Sequence, residues 1–316
     1  MSWLERIAPA PVGPALAVIF AVLIAASVLV AIIARRRPCA SSDELALRVR
    51  SWWFMISIFA LAIVLSPVVS TVFLGFVSFL AFKEFISLIP TRRVDRVVLF
   101  FAYLSIPAQF TFAHLDWYGM FVVFIPVWGV LFLAMLMVLR GQTDGFLRAI
   151  GTYSWGLLIT VFALSHTAML LAGGQAWNPG GGGAGLLLFL VGLTQFNDVA
   201  QFTWGKLLGR RKIIPAVSPG KTVEGFLGGV ATTALVAALV GPYLTGMDWP
   251  WSLVAGAMIA VAGFVGDVTI SALKRDLGVK DSGGLIPGHG GILDRVDSLT
   301  YTAPVFLHFY RFFFVG

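Results

Sequence analysis

Apolar runs of about 20 residues recur along the whole chain and are separated by short polar or basic segments. A helix of that length crosses a hydrocarbon core of roughly 30 Å. The pattern therefore predicts an all-α, polytopic integral membrane protein with about 9–10 transmembrane helices. The predicted spans are Val12 to Ala34, Trp52 to Pro67, Val68 to Ile89, Val97 to Ala113, Tyr118 to Leu139, Ile150 to Leu171, Ala184 to Trp204, Gly225 to Leu244, Trp251 to Ala272 and Leu299 to Val315.

The composition agrees with this class. Of the 316 residues, 59% are hydrophobic and 12% are charged, whereas about 25% are charged in soluble domains. The first run is followed, not preceded, by three arginines that begin at Arg35, which indicates an uncleaved span and not a signal peptide. The single cysteine, Cys39, excludes an intramolecular disulfide and a cysteine-based metal cluster.

The net charge of +7 reflects the orientation of the chain in the membrane. If the N-terminus of the first span lies outside, almost all basic residues fall on one side of the membrane, which the positive-inside rule makes cytoplasmic. Of the 22 Lys and Arg residues, only Arg6 and Arg311 fall outside, and Lys83 lies within a span. The charge thus indicates attraction to anionic membrane lipids and no nucleic-acid partner. The cytoplasmic groups are Arg35 to Arg50, Arg92 to Arg96, Arg140 with Arg148, Lys206 to Lys221, and Lys274 to Arg295.

Polar residues divide the chain into two parts. Residues 1–172 are predicted to form a scaffold of transmembrane helices, and residues 184–316 a catalytic transmembrane region with cytoplasmic loops at 205–224 and 273–297. The glycine-rich segment between them is interpreted as a flexible linker on the outer side. Within the scaffold, Lys83 and Glu84 lie in an apolar run, where a charge costs at least a few kcal/mol. They either snorkel to the cytoplasmic surface or have a functional role, and the sequence leaves both open.

Asp198 lies beside two amides, Asn197 and Gln201, in the seventh run. An aspartate is costly inside a bilayer, so this group indicates a solvated cavity or an ion site. The alternative is an aspartate that only pairs with Lys206 or Arg210.

The loop before the eighth run carries Ser218-Pro219-Gly220-Lys221-Thr222. Gly220-Lys221-Thr222 looks like the end of a P-loop, but Pro215 stands where the first glycine is required, so Walker A is excluded. A basic residue where a helix begins favours an anion, because free N–H groups and the positive dipole end lie there. A basic loop that merely obeys the positive-inside rule is the alternative.

The stretch from Asp267 to Asp297 contains the largest group of ionisable residues that could bind a metal ion or a phosphate. In a helix, Asp267, Ser271 and Lys274 share one face at i, i+4 and i+7, which suits a cation together with a phosphate. Asp294 and Asp297, at i and i+3, share another face. Carboxylates without cysteine partners suit Mg²⁺. Between these two faces lies a glycine-rich loop with Lys280, Asp281 and His289; the histidine lies near Arg295 and is a candidate for phosphate contact.

This last stretch resembles the phosphatidate cytidylyltransferase (CDP-diacylglycerol synthase) family. The resemblance rests on Ser271, Lys274-Arg275, Lys280-Asp281, the Pro-Gly-His289-Gly-Gly run and Asp294-Arg295-Val296-Asp297. The loop with Ser218, Lys221, Thr222, Glu224 and Gly225 is also similar to the family. One difference is Val199-Ala200-Gln201 after Asp198, where bacterial members commonly have small residues and then Ala-Tyr; we expect it to affect lipid specificity.

The resemblance implies that CTP and phosphatidate, or a related lipid phosphate, give CDP-diacylglycerol and pyrophosphate with Mg²⁺, with room for a second cation. It implies metal ligation by Asp267 and Asp294. The compact chain without a targeting peptide favours a bacterial inner membrane, the one-sided charge places the site on the cytoplasmic side, and a homodimer is left open. The predicted catalytic residues are Asp198, Asp267, Lys274, Arg275, Asp294 and Asp297, and the predicted substrate-binding residues are Asn197, Ser218, Lys221, Thr222, Glu224, Ser271, Lys280, Asp281, His289 and Arg295.

Other functions are compatible with a membrane protein that carries such residues. A paralogue could use another lipid phosphate, and a CTP-dependent polyprenol kinase would release CDP in place of pyrophosphate. The motif of CDP-alcohol phosphotransferases is absent from the sequence. An ion-coupled transporter would spread its ionisable residues through the bilayer midplane and often repeat broken helices in two halves. Here these residues crowd one side of the C-terminal part.

Overall fold

The computed structural model describes residues 11–36, 40–286 and 290–316. These residues are mostly helical, and nine of the described helices are long and apolar enough to cross a membrane, so the predicted all-α membrane fold is confirmed. The long and functionally relevant helices are α1 (Val12–Arg36), α2 (Ala40–Leu65), α3 (Pro67–Leu88), α4 (Arg96–His114), α5 (Tyr118–Leu139), α6 (Phe146–Ala172), α7 (Gly182–Leu208), α8 (Val223–Leu244), α9 (Trp249–Asp276), the short α10 (Leu293–Val296) and α11 (Leu299–Tyr310).

Several helices extend past the predicted apolar runs. Helix α2 begins at Ala40, although the apolar pattern starts at Trp52, because a polar first segment continues the helix and includes an Arg48–Glu44 ion pair one turn apart. Ser66 separates α2 from α3: its Oγ accepts a hydrogen bond from the Val69 N–H at 3.2 Å, which satisfies one free donor of the new helix. The tenth predicted run is α11 plus one π-helical turn, Arg311–Val315.

Helix α6 lies at the centre of the molecule. In its most apolar stretch 78% of the residues are buried, against 6% in α1 at the periphery. Helix α6 packs against α3 and α4 on one side and against α7 and α11 on the other. The two parts of the chain therefore share one apolar core.

Small residues let α7, α8 and α9 pack closely. A Cβ on Gly229 of α8 would lie 2.3 Å from Cγ of Gln201, and one on Gly256 of α9 would lie 2.3 Å from Cβ of Ala237. Such contacts are typical of membrane helix pairs, in which packing replaces the hydrophobic effect. They hold α8 against α7 near the polar ends of these helices and against α9 near the opposite ends.

The glycine-rich connection before α7 is packed, unlike the flexible linker that the sequence suggested. Asn178 is buried, and its Nδ2 donates to the carbonyls of Gly182 at 2.9 Å and Leu244 at 2.7 Å. A Cβ on Gly181 or Gly185 would come within 2.3 Å of the Leu244 carbonyl oxygen. These glycines therefore allow close approach of two backbones, which their composition alone does not reveal.

Candidate functional site

A polar cavity of about 520 Å³ lies where α7, α8 and α9 end on the side of the two basic loops. The sequence-predicted residues Asp198, Ser218, Lys221, Thr222 and Asp267 all line it. The structure thus brings together residues that are up to 69 positions apart in the chain. Further lining residues are Gln201, Phe202, Gly205, Lys206, Lys212, Gly220, Gly225 and Phe226.

Lys221 is the central cation of this cavity. Its Nζ lies 2.5 Å from Oδ2 of Asp267 and donates to Oε1 of Gln201 at 3.2 Å. The side chains of Lys221 and Asp267 are 19% and 23% exposed. A partly open ion pair of this kind can exchange its internal partner for a charged ligand.

The first turn of α8 fixes the position of Lys221. Thr222 is the N-cap of the helix, and its Oγ1 accepts from the Gly225 N–H at 3.1 Å. Glu224 accepts from the backbone N–H groups of Arg210 at 2.9 Å and Arg211 at 3.2 Å, which folds the preceding loop onto the helix. The Glu224 carboxylate is therefore engaged with backbone, and substrate binding by Glu224 stays a prediction.

Three carboxylates surround the inner end of the site. The Oγ of Ser298 donates to Asp198, with both carboxylate oxygens at 3.2 Å, and the backbone N–H of Ser298 donates to Asp297 at 2.7 Å. Burial, followed by the negative charges of Asp267 and Asp198, raises the pKa of Asp297 well above its ordinary value. Crowded carboxylates of this kind suit a cation or a cationic side chain.

A glycine makes this crowding sterically allowed. A Cβ on Gly266 would lie 2.6 Å from the carbonyl oxygen of Asp297. The residue before Asp267 must therefore be glycine for α9 to approach the segment that carries Asp297.

Asp294 has a different environment from Asp267. Its Oδ1 accepts from Lys274 at 2.7 Å, and its Oδ2 accepts from the Ser282 N–H at 2.8 Å, the Ser282 hydroxyl at 3.0 Å and the Gly291 N–H at 3.0 Å. Burial by itself raises the pKa of Asp294, but the donors, led by Lys274, outweigh it and the pKa is lowered. Asp294 is therefore a buried, fully hydrogen-bonded carboxylate.

Glu84 is the residue of the site that sequence reasoning did not assign. From α3, in the N-terminal part, its carboxylate accepts from the backbone N–H groups of Ile292 at 2.9 Å and Leu293 at 2.8 Å, and from the Ser282 hydroxyl at 3.2 Å. It thus holds the segment that begins α10 and shares Ser282 with Asp294. The sequence indicated Glu84 only as a charge inside an apolar run, because its hydrogen-bond partner Ile292 lies 208 positions away. Its neighbour Lys83 is exposed.

The other predicted residues have different positions and contacts in the structure. Asn197 is buried, and its amide contacts Thr233 on α8 and the Ala260 carbonyl on α9, so it joins helices and does not line the polar cavity. Arg275 donates to the Val217 carbonyl at 3.2 Å and connects the two loops. Lys280 and Asp281 are exposed on the loop. His289 lies outside the described residues, and Ser271 donates to Asp267 at 3.3 Å.

Comparison with known proteins identifies the family. The sequence pattern of the cytidylyltransferase family matches residues 46–313. The chain belongs to this family. The uncharacterized protein YnbB of Escherichia coli (strain K12) is 44% identical over 297 residues, which are 94% of this chain and 97% of that protein. A phosphatidate cytidylyltransferase of Synechocystis sp. is 48% identical over 116 residues, and one of Bacillus subtilis (strain 168) is 46% identical over 114 residues.

The similarity to the two phosphatidate cytidylyltransferases is partial. It covers 35% of this chain in each case, and 38% and 42% of the two relatives, so the chain spans less than half of their length. The membership shows a membrane-embedded nucleotidyltransferase of the cytidylyltransferase type.

The donor atoms of this cytidylyltransferase suit a hard cation. Asp267, Asp294 and Asp297 offer only oxygen, as Mg²⁺ prefers. Within the described ranges, no three acidic, histidine or cysteine side chains are already arranged as a metal cluster. Lys221 and Lys274 instead occupy one oxygen each of Asp267 and Asp294. A cation at these aspartates would take the place of the ammonium groups, which would then be available to phosphate.

Proposed function

We propose that this cytidylyltransferase transfers the cytidylyl group of CTP to phosphatidate, or to a related lipid phosphate, and releases pyrophosphate at the cytoplasmic face of a bacterial inner membrane. The observation that carries the proposal is the polar cavity at the loop-side ends of three membrane-spanning helices. In this cavity Lys221 pairs with Asp267, and Asp198 lies in the lining. Support also comes from the relatives that are named phosphatidate cytidylyltransferases.

The reaction needs little acid–base chemistry. An oxygen of the lipid phosphate attacks the α-phosphorus of CTP, and the bond from that phosphorus to the bridging oxygen of the β-phosphate breaks. The pyrophosphate leaves with the electron pair of that bond. A phosphate monoester has a second pKa of about 6 and is largely ionised at neutral pH. Positioning and charge neutralisation are therefore the main contributions required of the protein.

Basic residues at the cavity would bind the triphosphate. Lys206, Lys212 and Lys221 line the polar cavity, and the positive dipole end of α8 lies there, which favours an anion. Lys274, Arg275, Lys280 and Arg295 are the further cations that we propose for binding the phosphate groups of either substrate. Arginine suits two-point contacts with phosphate oxygens.

Asp267 and Asp294 would hold Mg²⁺, with Asp297 close to the former. The ion would offset negative charge on the phosphate oxygens when bound. In this proposal, residues 184–316 perform the chemistry and residues 1–172 form the scaffold that positions them, with Glu84 as the direct connection.

The test is a product assay on purified protein in lipid nanodiscs. We expect CTP, Mg²⁺ and phosphatidate to give pyrophosphate and a CDP-lipid in equal amounts, with no release when the lipid phosphate is omitted. A panel of lipid phosphates then ranks the acceptors. CDP in place of pyrophosphate would contradict the proposal in favour of a kinase, and the absence of both products would contradict it altogether.

A further inference from the structure

A second cavity, of about 700 Å³, has Arg295 and Val296 of the Asp294–Asp297 segment in its lining. Its walls come from α2 and α3 of the N-terminal part, from α6 and α7, and from the segment around α10. The volume lies within the range of cavities that hold small organic ligands. Most of the lining is apolar, and two of its aromatic residues, Phe54 and Phe76, are 70% and 56% exposed on the surface that faces lipid.

One end of this cavity is cationic. Arg295, next to Asp294 in the chain, lines the cavity together with Gln195 and with Arg50 of α2. The Nε of Arg295 is buried and has no hydrogen-bond partner among the described residues. A buried donor without a partner is unfavourable, and more so when the group is charged. Such a group in a native site indicates a missing acceptor.

Arg295 also lies close to the catalytic carboxylates. It stands between Asp294 and Asp297 in the chain, and Gln195, three residues before Asp198 on α7, donates to its backbone carbonyl at 3.5 Å. Asp198 lines the polar cavity, whereas Arg295 lines the apolar one. An anion at Arg295 would therefore lie at the junction of the two cavities.

We propose that the apolar cavity binds the lipid phosphate substrate, with its acyl chains between α2, α3 and α6 and its phosphate at Arg295, assisted by Arg50. This inference rests on the proposed function and adds the location of the acceptor. The ligand must combine an anion with long apolar chains, because the cavity combines a cation with an apolar lining. A free phosphate would leave the lining empty, and an uncharged lipid would leave Arg295 without an acceptor.

In this proposal, residues of the N-terminal part determine which lipid is bound, because α2 and α3 line the apolar cavity. The difference at Val199-Ala200-Gln201 does not lie in the apolar cavity: Val199 is 57% exposed, and Gln201 lines the polar cavity and accepts from Lys221. The substitution there would affect nucleotide binding instead. Acyl-chain selection would depend on residues such as Ile58 and Val77 of α2 and α3.

The first test is photo-crosslinking in nanodiscs with phosphatidate that carries a diazirine at the end of one acyl chain. Labelled peptides should come from the cavity walls, and excess unlabelled phosphatidate should remove this label. Diacylglycerol or inorganic phosphate should leave the label, because each lacks one half of the ligand. Label that no phosphatidate can remove, or that inorganic phosphate removes, would overturn the assignment.

The second test fills the cavity. Val77→Trp should raise the KM for phosphatidate about tenfold or more, because the indole would occupy the volume proposed for an acyl chain, and should leave the KM for CTP unchanged. Val72→Trp is the matched control: Val72 lies on the same helix, is 67% exposed and does not line the cavity. Ile58→Trp on α2 provides a second variant if Val77→Trp does not fold.

The two tests separate this inference from the proposed function. A wild type that forms no CDP-lipid would contradict the function, whatever the label shows. If the wild type is active and both Val77→Trp and Ile58→Trp keep the wild-type KM for lipid, only the cavity assignment is overturned. Arg50→Gln should raise the same KM by a smaller factor, because Arg50 is exposed.

Discussion

The Lys221–Asp267 and Lys274–Asp294 pairs of the site differ in how many hydrogen bonds the protein makes to each carboxylate. Asp267 has Lys221 and the Ser271 hydroxyl as partners, and its side chain is 23% exposed. Asp294 accepts four hydrogen bonds and is 5% exposed. The same residue type at two positions of one motif therefore has two environments. Asp267 is the more open of the two to a ligand, whereas Asp294 organises the loop around it through Oδ2 and has only Oδ1, now bonded to Lys274, to offer a cation.

Asp267→Asn should have the largest effect on activity. The substitution keeps the shape but removes the charge that pairs with Lys221 and would hold a cation, so we expect CDP-lipid formation to fall about 10²–10³-fold or more. The thermal unfolding midpoint should change little, because the side chain is partly exposed. Product formation and differential scanning fluorimetry measure the two effects. Full activity of this variant would refute the role of Asp267.

Asp294→Asn should reduce both stability and activity. It leaves the ammonium of Lys274 buried without a counter-charge, a change that costs about 3–5 kcal/mol in comparable buried pairs. The unfolding midpoint in detergent should fall clearly below that of Asp267→Asn.

A double variant sharpens this contrast. Asp294→Asn combined with Lys274→Met removes the unpaired charge, so part of the lost stability should return. Activity should not return with it. If the single Asp294→Asn variant were as stable as the wild type, the structural contrast between the two aspartates would be wrong.

Glu84→Gln tests whether the N-terminal part acts on the loop that carries Asp294. The amide keeps the size of the side chain but loses charge-assisted bonds to Ile292 and Leu293, each worth about 1.5–3 kcal/mol. We expect kcat to fall about tenfold or more while the KM for CTP stays near wild type. Hydrogen exchange at residues 290–296 should accelerate.

The control for Glu84→Gln is Glu44→Gln. Glu44 is an exposed acid whose ion pair with Arg48 lies on the helix surface, and such pairs contribute about 0–1 kcal/mol. Activity and hydrogen exchange at residues 290–296 should be unchanged. Equal effects of the two variants would indicate a general loss of charge and not a specific contact.

The same contrast explains what the sequence could and could not predict. Span lengths and one-sided charge gave the helical membrane fold, because a bilayer constrains the length of every helix. Spacing within α9 placed Asp267, Ser271 and Lys274 on one face, and the structure has the Ser271–Asp267 contact. Helix periodicity is a local property, so it can be inferred from neighbouring residues.

Contacts between distant segments could not be predicted in the same way. Nothing in the spacing of Glu84 or Asn178 indicates which backbone groups they bind, since these partners depend on how whole helices pack. Asn197 illustrates the same limit: an amide beside an aspartate suggested a cavity wall, but both of its polar atoms connect α7 to its neighbours. Residues 287–289, with His289, lie outside the described part of the chain.

Thr222→Ala should have a smaller effect than Asp267→Asn, Asp294→Asn and Glu84→Gln. It tests whether the N-cap of α8 positions Lys221 for its pair with Asp267. Loss of the N-cap bond to the Gly225 N–H typically costs about 1 kcal/mol. The first turn of α8 should then hold Lys221 less firmly, which would raise the KM for CTP a fewfold and change the KM for lipid little. Thr222→Ser keeps the hydroxyl and should restore the KM for CTP. A larger change in the lipid KM would mean that Lys221 serves the acceptor and not the nucleotide, so the assignment of the polar cavity to CTP depends on this result.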